Sequence, residues 1–249
     1  HIERHKTIRR YVDAKFKLLK SQLEGDIAFV KSNDEFIYKK LKQSRFKSKI
    51  IRINTKIENE LLENINNIYF QNDANRENLL FVLEISKKLN LNKKLIIKAV
   101  RGFKGLKYRQ QIIFKKNKLK IINDSKSTSF SSSFGVLKAN SNIYWLLGGI
   151  PKKGDKFKLP KKYFKGIQAF IYGKNSSFFQ NQLKNKIRVE NFSNLKIALK
   201  RIFVLINKEK LYDKTILFSP CAASFDSFKN FEDRGLYFNK LIKDYFDGR

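Results

Sequence analysis

"TILFSPCAASFDSFKNFEDRG", residues 215–235, carries no charge between Lys214 and Asp226 in a chain otherwise crowded with lysine. A short apolar run passes directly into small residues, Pro220, Cys221, Ala222, Ala223 and Ser224, and then Phe225, Phe228 and Phe231 recur at every third position. That order reads as a buried strand, a tight neutral loop and an aromatic-lined helix. Such a loop brings backbone N–H groups close to a ligand and offers an anion site at the helix N-terminus. Close strand-to-helix packing asks for the same small side chains, so spacing alone leaves the two readings level.

The elements before this stretch repeat its pattern. "IYWLLGG" (143–149) and "AFIYG" (169–173) read as buried strands. Leu195, Leu199, Ile202 and Ile206 keep helical spacing, with Ser193 as the expected cap. "RQQIIFKKNKLKIIND" (109–124) reads as two strands turning near Asn117. Alternating helices and near-continuous apolar strands predict a Rossmann-like α/β domain with a mostly parallel sheet. Ligands of such sheets gather at the carboxyl ends of the strands, and "NDSKSTS", "GGIPKKGD" and "SPCAASF" occupy such ends.

Further upstream, Ile8, Tyr11, Val12, Lys15, Leu18 and Leu19 share one helical face that Thr7 can cap, with Lys15 the exception on an apolar stripe. "DIAFV" (26–30) and "KIIRIN" (49–54) read as strands around a helix at 36–41, which implies a parallel crossover and an α/β layer. A helix over 72–89 turns Leu79, Leu80 and Leu83 inward. The next, through Ile96, Ala99, Val100 and Phe103, is expected to stop at Gly105. Helical periodicity gives way to alternation there, so the expected domains are 1–104 and 105–249.

Bulk composition narrows the class. A chain of 249 residues holds one large domain or two ordinary ones. One cysteine excludes an internal disulfide framework, and no apolar run approaches the roughly 20 residues of a spanning helix. Without a charged-then-apolar leader the expected compartment is the cytoplasm. The chain opens at His1 and lacks methionine, so it is expected to be part of a longer protein. A net charge of +32 suits a non-catalytic nucleic-acid-binding module. The basic residues are mostly scattered lysines, however, which favours a solvated surface that attracts polyanions non-specifically.

Several residues are candidates for chemistry. Asp124, Lys126 and Thr128 alternate as the chain leaves a strand, and a carboxylate, ammonium and hydroxyl so close can orient a phosphate. An Asx-type turn with a solvated lysine is the plainer reading. Lys152 beside Gly148 and Gly149 can clamp a carboxylate. At Lys15 an apolar setting favours the neutral amine, which can capture carbon dioxide and become an oxygen ligand for Mg²⁺. Alternatively the amine snorkels past the helix edge. His1 and His5 are the only histidines, which excludes a zinc cluster. Cys221 reads as a buried structural thiol. "GKNS" (173–176) lacks the spacing of a phosphate-binding Walker loop.

Taken together, these strings resemble the Mur ligase family, in its D-glutamate-adding branch, nearly from end to end. "HIERH" and "YVDAK" resemble the magnesium segment, whose lysine, Lys15, becomes a carbamate beside His1. "NRENLLFV" resembles the helix that contacts adenine through Asn75 and Asn78. "FKGLKYR" resembles the segment F-x-G-L-x-H-R between domains, keeping Arg109 but carrying Tyr108 for the histidine. "NDSKST", "LLGGIPKKGD" and "SPCAASFDSFKNFEDRG" resemble the D-S-K-A-T, glycine-rich and D-glutamate loops.

The resemblance implies a partial central, ATP-binding domain in 1–104 and a C-terminal, D-glutamate-binding domain in 105–249. It implies ATP and Mg²⁺ as cofactors, with Asn75, Asn78, Arg109 and Asp124 on ATP and His1 and carbamylated Lys15 on the metal. Lys15 and Lys126 are the implied catalytic residues. Thr128, Lys152, Ser224, Phe225 and Phe231 are implied to hold D-glutamate. The expected reaction joins D-glutamate to UDP-N-acetylmuramoyl-L-alanine through an acyl phosphate, in peptidoglycan precursor synthesis. It is expected in the bacterial cytoplasm, in a monomer with no specific nucleic acid and no membrane insertion. The first domain and the phosphate loop of the family have no counterpart in the chain, so turnover by this chain alone is not expected.

Overall fold

The computed structural model describes residues 2–55, 65–70, 73–208 and 213–248. The chain divides into two units, residues 1–103 and 104–249. In the first, a single turn, α1 (Ile2–His5), precedes Thr7, whose hydroxyl accepts the Arg10 N–H at 3.2 Å and starts α2 (Ile8–Ser21). Strand β1 (Ile27–Lys31), helix α3 (Glu35–Gln43) and strand β2 (Lys49–Ile53) form the expected crossover, with the strands paired in parallel from Ile27 against Lys49. Asp34 caps α3 through the Ile37 N–H.

Helices α4 (Asp73–Lys88) and α5 (Lys93–Gly102) bury Leu79, Leu83 and Val100 against Ile65. Buried Asn67 ties this corner together, its amide donating to the carbonyls of Val100, Arg101 and Phe103. Helix α5 ends three residues before Gly105, because the Phe103 N–H turns back to the Val100 carbonyl. Gly105 takes its positive φ of 80° in the loop beyond.

The second unit opens with the hairpin β3 (Gln111–Lys116) and β4 (Leu119–Asn123). Asn117 and Lys118 both take positive φ, the geometry a two-residue hairpin turn needs. There follow α6 (Phe130–Lys138), β5 (Ile143–Gly148), β6 (Ile167–Tyr172), α7 (Ser176–Leu183), β7 (Arg188–Phe192), α8 (Leu195–Lys208), β8 (Lys214–Phe218) and α9 (Phe231–Asp247). The six strands form one sheet in the order β3-β4-β8-β5-β6-β7, parallel except for the β3 edge.

The strands of this sheet read as continuous apolar runs because both of its faces are covered. On β5, Ile143, Trp145 and Leu147 face a core shared with Phe130, Phe157 and Phe179. Tyr144 and Leu146 face the other, with Phe170, Leu199, Phe218 and Phe238. Helices α6 and α7 cover the first face, α8 and α9 the second.

Three readings of the sequence need correction. Asn194, not Ser193, caps α8, accepting the Ile197 N–H at 3.0 Å. The neutral loop does not open at once into a helix. Phe225 and Phe228 lie in a turn closed on the Ser224 carbonyl, and α9 starts only at Phe231, capped by Asn230. Helix α7 and strand β7 went unread, since "RVENF" mixes charge with apolar residues at a sheet edge.

Candidate active site

Strand β8 lies between β4 and β5, so the loops following these three strands meet at one edge of the sheet. They are 124–129, 149–155 and 219–230, and each is fastened. Ile150 and Ala223 exchange backbone hydrogen bonds of 2.9 Å, joining the second loop to the third. Asp155 accepts the Phe130 N–H at 2.8 Å, tying the second loop to the start of α6. Asn175 donates to the Gly149 carbonyl at 3.0 Å.

In the first loop, Asn123 accepts the Ser125 N–H at 3.1 Å, so the Asx turn belongs to Asn123 and not to Asp124. Asp124 is buried instead. Its carboxylate accepts from Ser219 Oγ at 2.6 Å and the Gln110 N–H at 3.1 Å. Lys126 places its ammonium 3.7 Å from the centre of the Phe231 ring. Ser125 Oγ donates to the Phe231 carbonyl at 2.8 Å, so the first loop also grips the start of α9. An expected catalytic residue, Lys126, and an expected substrate-site residue, Phe231, are brought together by this cation–π contact.

Tyr108, where the family pattern has histidine, is buried with φ of 61°. Its ring meets Phe231 edge-on at 6.5 Å and fills the space left open by Gly235, where an added methyl group would fall 2.3 Å from the ring. Arg109 beside it is exposed, and its charge acts on Asp124. Thr128 and Lys152 are half-buried, Ser224 is buried and Phe225 is 72% exposed. Cys221 is buried among Ser127, Ser133 and Ser219, and burial pushes its thiol up, which suits a structural thiol and not a nucleophile.

Burial raises the Asp124 carboxyl to about 7, against opposing hydrogen bonds from Ser219 and Gln110 and the charges of Arg109 and Arg234. An unperturbed aspartate titrates at 3.8. Between those values the folded protein keeps a proton that the unfolded chain has lost. This contribution is therefore complete below about 4, falls as pH rises and levels off above about 7. Urea unfolding across that window is expected to show wild-type stability declining relative to Asp124→Asn, which cannot titrate. Parallel pH slopes for the two proteins would contradict the assignment.

In the first unit, Asn75 is half-buried and donates to the Tyr69 carbonyl at 2.8 Å, and Asn78 is exposed one turn along α4. Lys15 is not interior. It is exposed, with its ammonium 5.6 Å from the Tyr11 ring centre, while its neighbour Phe16 is buried. The amine snorkels because the helix edge lies open beside it. Lys15 does line a cavity of about 520 Å³ with Ile8, Tyr11, Val12, Asp34 and Ile37. His1 lies outside the described residues.

A hard cation asks for about six oxygen ligands. Among the described residues no group of three or more His, Cys, Asp or Glu residues could hold a metal. Mg²⁺ itself is commonly held by one or two carboxylates together with waters and substrate phosphates, and so needs no such group. Again among the described residues, no helix is long and apolar enough to cross a membrane. A larger cavity, about 740 Å³, opens at the opposite end of the second sheet, around Lys115, Lys120 and Lys138, away from all of the expected site residues.

Residues 1–96 match the model of the Mur ligase middle domain. The UDP-N-acetylmuramoylalanine–D-glutamate ligase of Rickettsia prowazekii is 32% identical over 98% of this chain and 58% of its own length. The enzyme of that name from a Wolbachia of Brugia malayi is 30% identical over 98% of this chain and 51% of its own. The chain thus spans little more than half the length of these curated relatives. Among solved structures, MurF from Acinetobacter baumannii shares the fold with a TM-score of 0.68 at 16% identity, over 98% of this chain and 56% of that one. A bifunctional folylpolyglutamate synthase/dihydrofolate synthase from Yersinia pestis shares it with a TM-score of 0.58 at 10% identity, over 94% and 55%. These likenesses give no support to a nucleic-acid-binding module. Since identity near 30% runs through both units and the family model covers most of the first, the chain belongs to the Mur ligase family.

Proposed function

We propose that the full-length protein carrying this chain joins D-glutamate to UDP-N-acetylmuramoyl-L-alanine in an ATP-driven amide ligation. The observation that carries the reading is the meeting of three loops, bearing Lys126 and Thr128, Lys152, and Ser224 with Phe225, at one edge of the second sheet. Residues 1–104 form the nucleotide side, with Asn75 and Asn78 on the base. Residues 105–249 form the amino-acid side, and Arg109 and Asp124 within them are further candidate nucleotide contacts.

In this reading Lys152 and Thr128 hold one carboxylate of D-glutamate, and Ser224 with the Phe225 backbone holds the other. Lys126, resting on Phe231, faces the negative charge that builds on the phosphoryl group. ATP would supply the activation: transfer of its terminal phosphoryl group to the carboxylate of the muramoyl-alanine substrate releases ADP, and attack of the D-glutamate amine on the acyl phosphate forms the amide and releases phosphate. Loops that exclude water protect that intermediate from hydrolysis. No step is assigned to Mg²⁺.

A coupled assay on the full-length protein tests the proposal. ADP should form only when D-glutamate and the UDP-muramoyl substrate are both present. ADP formation indifferent to D-glutamate, or equal turnover with several amino acids, would refute it.

A further inference from the structure

Arg234 belongs to none of the roles assigned so far, yet it is 1% exposed in the first turn of α9. Among the described residues it forms no ion pair with a carboxylate. Burial works against its charge, and a guanidinium kept in that setting must be held by other means. Its partners are carbonyls and a hydroxyl from two different loops. Nη2 donates to the Ser125 carbonyl at 2.7 Å and to the Ala222 carbonyl at 3.0 Å, and Nε donates to Ser125 Oγ at 3.2 Å. Nη1 turns toward the remaining loop, since a methyl group on Gly149 would sit 3.2 Å from it. Among the described residues, Nη1 and the buried hydroxyl of Tyr172 complete no hydrogen bond.

We infer that Arg234 is a positioning residue, a planar bolt that sets the spacing between the loop bearing Lys126 and Thr128 and the loop bearing Ser224. Ser125 directly precedes Lys126, and Ala222 lies two residues before Ser224. One guanidinium therefore holds together the loops that carry Thr128 and Ser224, which the ligase reading places on different carboxylates of the bound amino acid. The consequence for chain-length specificity rests on the ligase reading. The bolt itself does not. A lysine keeps the charge but lacks the fixed fork that reaches both carbonyls at once.

Amide hydrogen exchange on this chain addresses the bolt directly. The Ser127, Ile150 and Ala223 amides are hydrogen-bonded within and between the three loops. In Arg234→Lys these three are expected to exchange roughly tenfold faster or more, the scale of a lost charged hydrogen bond, with amides of β5 unchanged. Ser125→Ala, which removes only a hydroxyl, should shift the same amides less. In the full-length protein, Arg234→Lys should raise KM for D-glutamate roughly tenfold with kcat within about threefold, and narrow the preference for D-glutamate over D-aspartate.

A lower melting temperature with loop exchange and KM both at wild-type values would make Arg234 merely structural and overturn the inference. If the wild type itself forms no ADP with D-glutamate, the ligase reading fails, and the exchange result still decides whether Arg234 bolts the loops.

Discussion

Lys152→Ala is expected to raise KM for D-glutamate roughly a hundredfold in the full-length protein. Removing one partner of a charge pair in a desolvated complex costs about 3 kcal/mol, and each 1.4 kcal/mol is about tenfold. Lys152 is suited to that role by its surroundings. It is half-buried, it follows Gly149 in a loop pinned to Ala223 and Asn175, and the Asp155 N–H closes a turn on the Lys152 carbonyl at 3.1 Å. A long flexible side chain on a fixed turn loses less entropy on meeting a carboxylate than one on a loose loop. Lys156, exposed in the same loop, is the control, and its alanine variant should stay within about twofold of wild type. Ser224→Ala should raise KM about tenfold, the scale of one hydrogen bond to a charged group. Steady-state kinetics with D-glutamate varied decides the matter. Equal effects at Lys152 and Lys156 would sink the assignment of the carboxylate clamp.

Gly149→Ala should destabilise the fold by at least about 4 kcal/mol, the range of the most damaging single substitutions. Two causes add. At φ of 121° an L-residue is strained, and the new Cβ would fall 2.4 Å from the Ala223 carbonyl oxygen, which accepts the Ile150 N–H. Backbone on both sides is held by paired hydrogen bonds, so neither strand end can step aside without breaking the bridge. Gly154→Ala makes the contrast, with φ of 76° but nothing within 4 Å of the added methyl, and should cost about 1 to 3 kcal/mol. Urea denaturation of the two variants measures the difference. A Gly149→Ala protein as stable as Gly154→Ala would mean that the loops after β5 and β8 do not pack as described.

Much of the fold was legible because burial on both faces leaves an unmistakable mark. Uninterrupted runs such as "IYWLL" and "TILF" could only be interior strands, and α4 announced itself through Leu79, Leu80 and Leu83. Strand β7 was hidden because an edge strand keeps one side wet, and Glu190 pairs there with both Arg188 and Arg201. The start of α9 was misplaced because phenylalanines at every third position mimic a helix face. Its boundary is set by Asn230, whose side chain accepts the Asp233 N–H at 2.7 Å.

The candidate site divides along the same line. Local strings were enough to single out Asp124, Lys126, Thr128, Lys152 and Ser224, because small or polar residues directly after an apolar strand mark its carboxyl end. Whether a side chain is covered depends on distant segments, which no local pattern reports. Lys15 on its helical stripe left burial and snorkelling both open and is exposed, while Asp124, read most plainly as part of an Asx turn, is closed in by Ser219, 95 positions later. Arg234 gave no signal at all, since one arginine among 54 basic residues stands out only once Ser125 and Ala222 are seen on either side of it. The order of apolar and small residues along the chain thus determined the elements and the sheet edge where chemistry gathers. The order of strands in space decided which loops meet, because only with β8 lying between β4 and β5 do their following loops come within hydrogen-bonding reach of one another.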